Sequence, residues 1–163
     1  MEIATDISRI AHQEQRLRLA RFDANDAWQL GTALRELAAR SSLALTIEIR
    51  IARETVFFSA MAGTTPANTD WARRKRNVVE LLHRSSYGVG RSLEQEGKTL
   101  EQTMGLAARD YATHGGSFPL SIVAAGCIGA VTVSGAPQRT DHNLVVEALA
   151  GMCGVALDEV ALA

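Results

Sequence analysis

The seventeen consecutive residues Leu120–Ala136 carry no charged side chain. A transmembrane helix needs about twenty apolar residues, and here Gly126, Gly129 and Gly135 interrupt a run dominated by Ile, Val, Thr and Ser. The pattern favours a β-hairpin, with strands over "PLSIVA" and "CIGAVTVSG" and a turn at Ala125-Gly126. Because both faces of this hairpin are apolar, we expect it to lie centrally in a sheet, covered by helices on at least one side.

A second hairpin is predicted from residue 43 to residue 63. The segments "LALTIEIRIA" and "ETVFFSAMAG" are rich in β-branched and aromatic residues, which is typical of strands. Side chains alternate along a strand. One side of the first strand is therefore polar, with Thr46, Glu48 and Arg50, and the other is apolar, with Leu45, Ile47, Ile49 and Ile51.

Helices are expected around the two hairpins. An N-terminal helix places Ile3, Ile7, Ile10 and Leu17 on one face. A long helix is predicted to begin near Trp71, to contain Ser85-Ser86-Tyr87 in its middle, and to end or kink at Gly88 or Gly90, because glycine weakens a helix. The expected N-caps, in chain order, are Asp23 or Asn25, one of Asn68, Thr69 and Asp70, then Thr99 and Thr140. This order of elements indicates an α+β domain, an antiparallel sheet flanked by helices.

Size and composition are those of one globular domain over residues 1–163, with the N-terminal helix (residues 1–22) as a peripheral part. The formal net charge is −1, which gives no electrostatic case for nucleic acid or for an anionic membrane. Cys127 and Cys153 lack the spacing of a metal site or a disulfide framework, so we expect two buried, reduced thiols. The N-terminus has no continuous apolar stretch of the kind found in signal peptides, and a cytoplasmic protein is expected.

Two stretches resemble the haem-degrading domain family, which includes haem-binding sensor accessory and glycolate-operon accessory proteins. They are "HGGSFPL" at 114–120 and "GCIGAVTVSGAPQRTDHNLVVEAL" at 126–149. The most specific parts are the Gly-Gly-x-x-Pro step, the Gly-x-x-Gly-x-x-x-Val-Ser-Gly hairpin and the Asp-His pair that follows. The segment "DWARRKRNVVELLHRSS" at 70–86 is similar, more narrowly, to an uncharacterised cytosolic branch of this family.

The resemblance implies a profilin-like fold, with an antiparallel sheet of about five strands and helices on both faces, in a homo-oligomer. It also implies haem binding or haem degradation in some members. A fold does not determine a function, so haem is a candidate cofactor only. No haem-ligand motif of the family can be placed on a residue of this sequence.

His114 is the first candidate for ligand binding. It precedes Gly115-Gly116, and glycine lets a backbone or a ligand approach closely. Neutral imidazole is a common ligand of iron and other metals. The alternative is a loop histidine that bonds only to the backbone. No dedicated metal site is predicted.

Asp141 and His142 form a second candidate, at the start of the last helix. A helix N-terminus with nearby glycine is a ready site for an anion, such as a propionate or another small carboxylate. Asp141, however, suits the positive end of the helix dipole as a first-turn residue and would repel such an anion. Scaffolding of the first turn is therefore the alternative for both residues.

Four consecutive cations, Arg73 to Arg76, lie near the start of the long helix. Consecutive residues point around a helix, so they cannot all contact one phosphate track. Cations near a helix N-terminus are unfavourable with the dipole, which suggests acidic partners on another subunit or an anionic ligand, with Arg74 and Lys75 as the binding residues. A plain solvated face is the alternative.

No catalytic constellation is evident. The chain lacks a Gly-x-Ser-x-Gly elbow, a phosphate-binding loop and a dinucleotide-binding motif. We therefore expect a small-ligand-binding protein, with haem or a related organic anion as the candidate ligand and haem degradation as an open question. A non-enzymatic oligomeric scaffold that recruits a protein partner is the alternative.

Overall fold

A computed structural model describes residues 2–162 of the protein. The strands are β1 (Thr46–Ile51), β2 (Glu54–Ala60), β3 (Ser117–Ile122) and β4 (Gly126–Ser134). The helices are α1 (Ile3–Arg16), α2 (Ala24–Arg40), α3 (Pro66–Leu82), α4 (Ser86–Glu96), α5 (Leu100–Met104), α6 (Gln138–Cys153) and α7 (Leu157–Val160). The strands form one antiparallel sheet in the order β2-β1-β4-β3. The predicted α+β class is thus confirmed, as are both hairpins.

The expectation of about five strands was too high, since the sheet in residues 2–162 has four. A fifth position is occupied only by Leu19, which forms an isolated parallel bridge with Ile122. The Leu19 amide donates to the Ser121 carbonyl at 2.9 Å, and the Val123 amide donates to the Leu19 carbonyl at 2.9 Å. The connection between α1, which ends at Arg16, and α2, which begins at Ala24, therefore touches the sheet edge at this bridge without forming a regular strand.

The two faces of the sheet differ in chemistry. Helices α2 and α6 cover the apolar face, where Ile47 opposes Val133 and Ile49 opposes Val131 across neighbouring strands. Helix α3 covers the polar face, where Arg76 bonds to Glu48 at 2.6 Å and Arg50 lies 3.2 Å from Glu80. The alternation predicted for β1 therefore places an ordinary hydrophobic core on one side and partly buried ion pairs on the other.

The predicted long helix is two helices, α3 and α4, and the expected break at Gly88 or Gly90 was wrong. The break is at His83, which adopts a left-handed conformation with φ of 56°. Ser85 then caps α4, accepting a hydrogen bond from the Gly88 amide at 3.1 Å. Ser85-Ser86-Tyr87 is thus a helix start and not the middle of a helix. Gly90 instead lets α4 approach the chain at Thr113, whose carbonyl oxygen would lie 2.2 Å from an added Cβ.

The N-caps of α2 and α5 were predicted correctly, because each directly precedes the apolar residues of its helix. Asp23 and Thr99 cap α2 and α5 in reciprocal capping boxes. The caps expected for the other two helices were wrong. Thr65 precedes α3, with Pro66 at its first position and Asn68 completing a capping box. Helix α6 follows Pro137, so that Thr140 lies inside its first turn.

In the described range, 2–162, no helix is both long enough and apolar enough to cross a membrane. The uncharged stretch from Leu120 to Ala136 forms most of β3 and β4. Cys127 and Cys153 are free and partly buried, and burial raises the pKa of both thiols. Raised thiol pKa values oppose reactivity, because the thiolate is the reactive form.

Candidate functional site

The buried salt bridge between Lys75 and Asp141 is the centre of the predicted site region. Lys75 reaches from α3 to the start of α6, and its Nζ lies 3.0 Å from Asp141 Oδ2. The same ammonium donates to the carbonyl oxygens of Gly115 at 2.9 Å and Val133 at 2.8 Å. All three donors of the ammonium are therefore used inside the protein.

Asp141 is held from the other side by the turn between β4 and α6. Its carboxylate accepts from the Gly135 amide at 3.4 Å and from the Ala136 amide at 3.0 Å. Burial raises the pKa of Asp141 and lowers that of Lys75, although each partner favours the charge of the other. The pair joins α3, β4 and α6, and it leaves the Asp141 carboxylate turned toward the protein interior.

Gly115 and Gly116 permit this arrangement. An added Cβ at Gly115 would lie 2.1 Å from the Gln138 carbonyl oxygen. At Gly116, where φ is +130°, it would lie 2.5 Å from the Val133 carbonyl oxygen and 2.6 Å from Lys75 Nζ. We expected Gly115-Gly116 to let a backbone or a ligand approach closely. In the structure these glycines lie against carbonyl oxygens of the chain and against the ammonium of Lys75.

His142 lies deeper in the protein, with 1% of its surface exposed. Its Nε2 lies 2.8 Å from Gln13 Oε1 on α1, and its ring lies beside those of Tyr87 and Phe118 at centroid distances of 5.1 and 6.0 Å. Burial, together with the nearby Arg139, lowers the pKa of His142 to about 3. The side chain is therefore a neutral imidazole at physiological pH.

His114 and Arg74 lie on the outer side of the same region, and both contact Trp71. The His114 ring packs edge-to-face on Trp71 with centroids 4.9 Å apart. The Arg74 guanidinium lies 4.2 Å from the Trp71 centroid and donates to the Ala108 carbonyl oxygen. Partial burial and the positive charges of Lys75 and Arg74 lower the pKa of His114, so this exposed imidazole is neutral near pH 7 and can act as a metal ligand.

A cavity of about 320 Å³ lies beside His114 and Arg74, between α4, α5 and the loop that leads to β3. Its apolar part is formed by Leu93, Leu100, Leu106 and Tyr111. Its rim carries charges of both signs, with Arg74 and Lys98 opposed by Glu94 and Glu101. The cavity volume is at the lower end of the range for small-molecule sites.

The predicted site residues thus fall into an interior and an exterior group. The interior group consists of Lys75, Gly115, Gly116 and Asp141, together with His142, which is buried on α6. His114 and Arg74 line the cavity. Within residues 2–162 no group of three or more His, Cys, Asp or Glu side chains is arranged to hold a metal ion.

The four consecutive cations have partners within the chain. Arg73 bonds to Asp70 and Asp110 at 3.1 and 3.0 Å, and Arg76 bonds to Glu48. Lys75 pairs with Asp141, and Arg74 lies on Trp71. Acidic groups and carbonyl oxygens of the same chain therefore offset the unfavourable position of these cations near a helix N-terminus.

Residues 22–150 match the model of the family described as "Haem degrading protein HbpS-like". The chain belongs to the HbpS-like family. The resemblance seen in the glycine step, the hairpin and the Asp-His pair is confirmed, and the matched segment contains Lys75, His114, Asp141 and the cavity but not α1.

Close relatives of this HbpS-like chain are proteins called UPF0303. One from Azotobacter vinelandii is 55% identical over 162 residues, covering 99% of this chain and 98% of the relative. One from Serratia proteamaculans is 49% identical over 160 residues, covering 98% and 99%. These matches cover almost the whole chain, so that they include residues of α1, which the family model does not.

Solved structures show the same fold. The Ybr137w protein superposes with a TM-score of 0.83 at 25% identity, over 91% of this chain and 87% of that protein. HbpS superposes with a TM-score of 0.64 at 18% identity, over 83% and 92% of the two chains. PduOC, solved in complex with haem, superposes with a TM-score of 0.69 at 19% identity, over 79% and 93%.

Sequence reasoning missed the residues that surround the interior group. Gln13 approaches His142 across 129 positions of the chain, and Asp6 approaches Arg139 across 133 positions. Neither residue belongs to a motif, so no local signal indicates these contacts. Trp71, which contacts His114 and Arg74 of the exterior group, had a signal, because it is an aromatic residue one helical turn before Lys75 and close to the cation cluster.

Proposed function

We propose that this HbpS-like protein binds haem, or a related carboxylated organic molecule, at the cavity beside His114. The observation that carries the proposal is a neutral, exposed imidazole at the edge of a cavity with an apolar lining. Family membership and the haem complex of PduOC support haem as the candidate ligand. The cytoplasmic location and the homo-oligomer expected from the sequence belong to the same proposal.

The residues at the cavity fit part of a haem. His114 would supply an imidazole for the iron, Leu93, Leu100 and Leu106 would contact the macrocycle, and Arg74 would face a propionate. Because 320 Å³ is small for a whole porphyrin, one edge of the ring would lie in the cavity and the rest outside it. Bound haem would supply iron for redox and oxygen chemistry, whereas the chain itself supplies the binding and orientation.

A haemin titration followed in the Soret region tests this proposal. We expect a saturable shift with one haemin per chain in the wild type and a loss of affinity of at least about tenfold in His114→Ala, since the iron would lose its ligand. His12→Ala is the matched control, because His12 is an exposed histidine on α1. Non-stoichiometric binding that is equal in all three proteins would contradict the proposal.

A second candidate function is that of an oligomeric interaction protein. Trp28 and Phe58 are 67% and 48% exposed, and Trp28 packs on Phe57 in β2. Strand β2 is an edge strand that pairs only with β1 among the described residues. Exposed aromatic side chains beside an open strand edge favour association with another chain. Light scattering of the wild type and of Phe58→Lys distinguishes an oligomer that uses this edge from a monomer.

A further inference from the structure

Helix α1 is attached to the rest of the protein mainly through polar contacts. Gln13 Nε2 donates to the Val160 carbonyl oxygen at 2.6 Å, and Glu14 accepts from the Ser85 amide at 2.7 Å. The buried apolar contribution of α1 is small, because Ile10 clusters only with Tyr87 and Leu162, outside the main core. A helix held in this way can separate without opening the core that α2 and α6 form on the sheet.

The innermost contact of α1 is a carboxylate between two arginines. Arg139 donates to Asp6 through both terminal nitrogens, at 2.8 and 3.1 Å, and Arg91 Nε lies 3.1 Å from Asp6 Oδ2. Asp6 is 0% exposed. Burial opposes its charge, but the two guanidinium groups outweigh burial and lower the pKa of this carboxyl. Paired guanidinium groups of this kind are typical of sites that recognise carboxylates.

The same contact region contains the neutral imidazole of His142. Tyr87 lies between the arginine pair and His142. Its hydroxyl is 3.4 Å from Arg139 Nη1, and its ring lies beside that of His142. The Nδ1 of His142 is buried and has no hydrogen-bond partner within residues 2–162. A buried polar atom without a partner is costly, so His142 is not a fully satisfied core residue.

The residues below α1 belong to the segment shared with the family, whereas α1 does not. Tyr87, Arg91, Arg139 and His142 lie within residues 22–150, which match the HbpS-like model. Asp6 and Gln13 lie before that segment. In this chain α1 therefore places a carboxylate on Arg139 and an amide on His142, both of which belong to the matched segment.

We propose that α1 covers a second binding site, in which Arg91 and Arg139 hold the carboxylate of an organic molecule whose conjugated rings lie against Tyr87 and His142. Asp6 occupies the position of that carboxylate, and Gln13 occupies the position of a ligand group that would contact Nε2 of His142. The site does not include His114 and does not depend on the function proposed for the cavity.

The probe for this site is 1-pyrenebutyrate, which has a carboxylate and conjugated rings but no iron. All proteins are full-length and carry His114→Ala, so that the first cavity does not decide the result. In the Asp6→Asn variant we expect pyrenebutyrate to bind at least about tenfold more tightly than in the parent, and pyrenebutanol, which lacks the carboxylate, to bind equally to both. Addition of Arg91→Gln should remove the gain.

Hydrogen exchange of the same proteins shows whether α1 has opened. We expect faster exchange in α1 and unchanged exchange in β1 and β4, with Glu36→Gln, an exposed carboxylate-to-amide change on α2, as the control. Gln13→Ala loosens the same helix and replaces Asp6→Asn if that variant does not fold. The proposal is overturned if α1 opens without tighter pyrenebutyrate binding, if Arg91→Gln does not reduce that binding, or if α1 opens in neither variant.

Discussion

Gly116 is a residue whose conformation decides how three elements meet. Its φ of +130° is one that side-chain-bearing residues rarely adopt, and Val133 and Lys75 occupy the space that a Cβ would need. We expect Gly116→Ala to lower the free energy of unfolding by more than about 2 kcal/mol, because strain adds to displacement of the buried ammonium. Denaturant unfolding measures this change.

The matched control for Gly116 is Gly151 in α6. An added Cβ there meets no atom within 4 Å, and alanine is the better helix former by about 1 kcal/mol. Gly151→Ala should therefore leave the stability unchanged or raise it. Equal stability of the Gly116→Ala protein and the wild type would show that the close approach at Gly116 does not limit the fold.

His142 predicts a dependence of stability on pH. Its pKa is about 3 in the folded chain and about 6.5 in the unfolded chain, so the unfolded chain binds a proton between these values that the folded chain does not. The stability is therefore fully present above pH 6.5 and falls as the pH decreases. Between pH 7 and pH 5.5 we expect a loss of about 1 kcal/mol from this residue, measured by denaturant unfolding at each pH.

His142→Gln removes the titrating group and should reduce the loss between pH 7 and pH 5.5. His114 has a lowered pKa as well, and His114→Ala separates its contribution. A pH dependence that is unchanged by His142→Gln would contradict the burial-driven shift.

Residues close in sequence were predictable at the site, and distant ones were not. Gly115-Gly116 and Asp141 lie in segments with recognisable composition, and their association follows from β3 and β4 being neighbouring strands. The contact of Asp6 with Arg139 depends on where α1 packs, which no periodicity in residues 3–16 specifies. The sequence of a helix indicates which of its side chains share a face, but it does not indicate which distant helix that face contacts.

The division between α3 and α4 is set by His83. Its φ of 56° is left-handed, and the Ser85 cap follows two positions later. Apolar periodicity continues through this break, which is why one long helix was expected. By contrast, the alternation in β1 and β2 correctly gave a hairpin from strand periodicity alone, although its turn consists of Ala52 and Arg53 in the left-handed conformation.

His83→Gly should stabilise the protein by about 0.5–1 kcal/mol, since glycine adopts the left-handed conformation without steric cost. His83→Ala is the control and should give no gain, because alanine has a Cβ that opposes this conformation. Thermal unfolding of the three proteins gives the comparison. A lower melting temperature for His83→Gly than for His83→Ala would contradict the assignment of the break to this backbone conformation.

The two edges of the sheet differ in how far other parts of the chain cover them. The β3 edge is covered in part by Leu19, which bonds to Ser121 and Val123. The β2 edge has no strand partner among residues 2–162 and carries a single charged residue, Glu54. Long edge strands with few charges tend to pair with another chain, and pairing of two antiparallel β2 edges satisfies twofold symmetry because the same surface meets itself.

A second copy of this chain is therefore the expected partner of the β2 edge. Phe58→Lys places a charge on that edge and should shift the protein toward the monomer by at least about tenfold in dissociation constant, measured by light scattering across a concentration series. Val123→Lys is the matched control, because Val123 is 69% exposed but lies at the opposite edge, beyond β3. Equal association of both variants would show that β2 is not the contact, and a monomeric wild type would contradict the homo-oligomer itself.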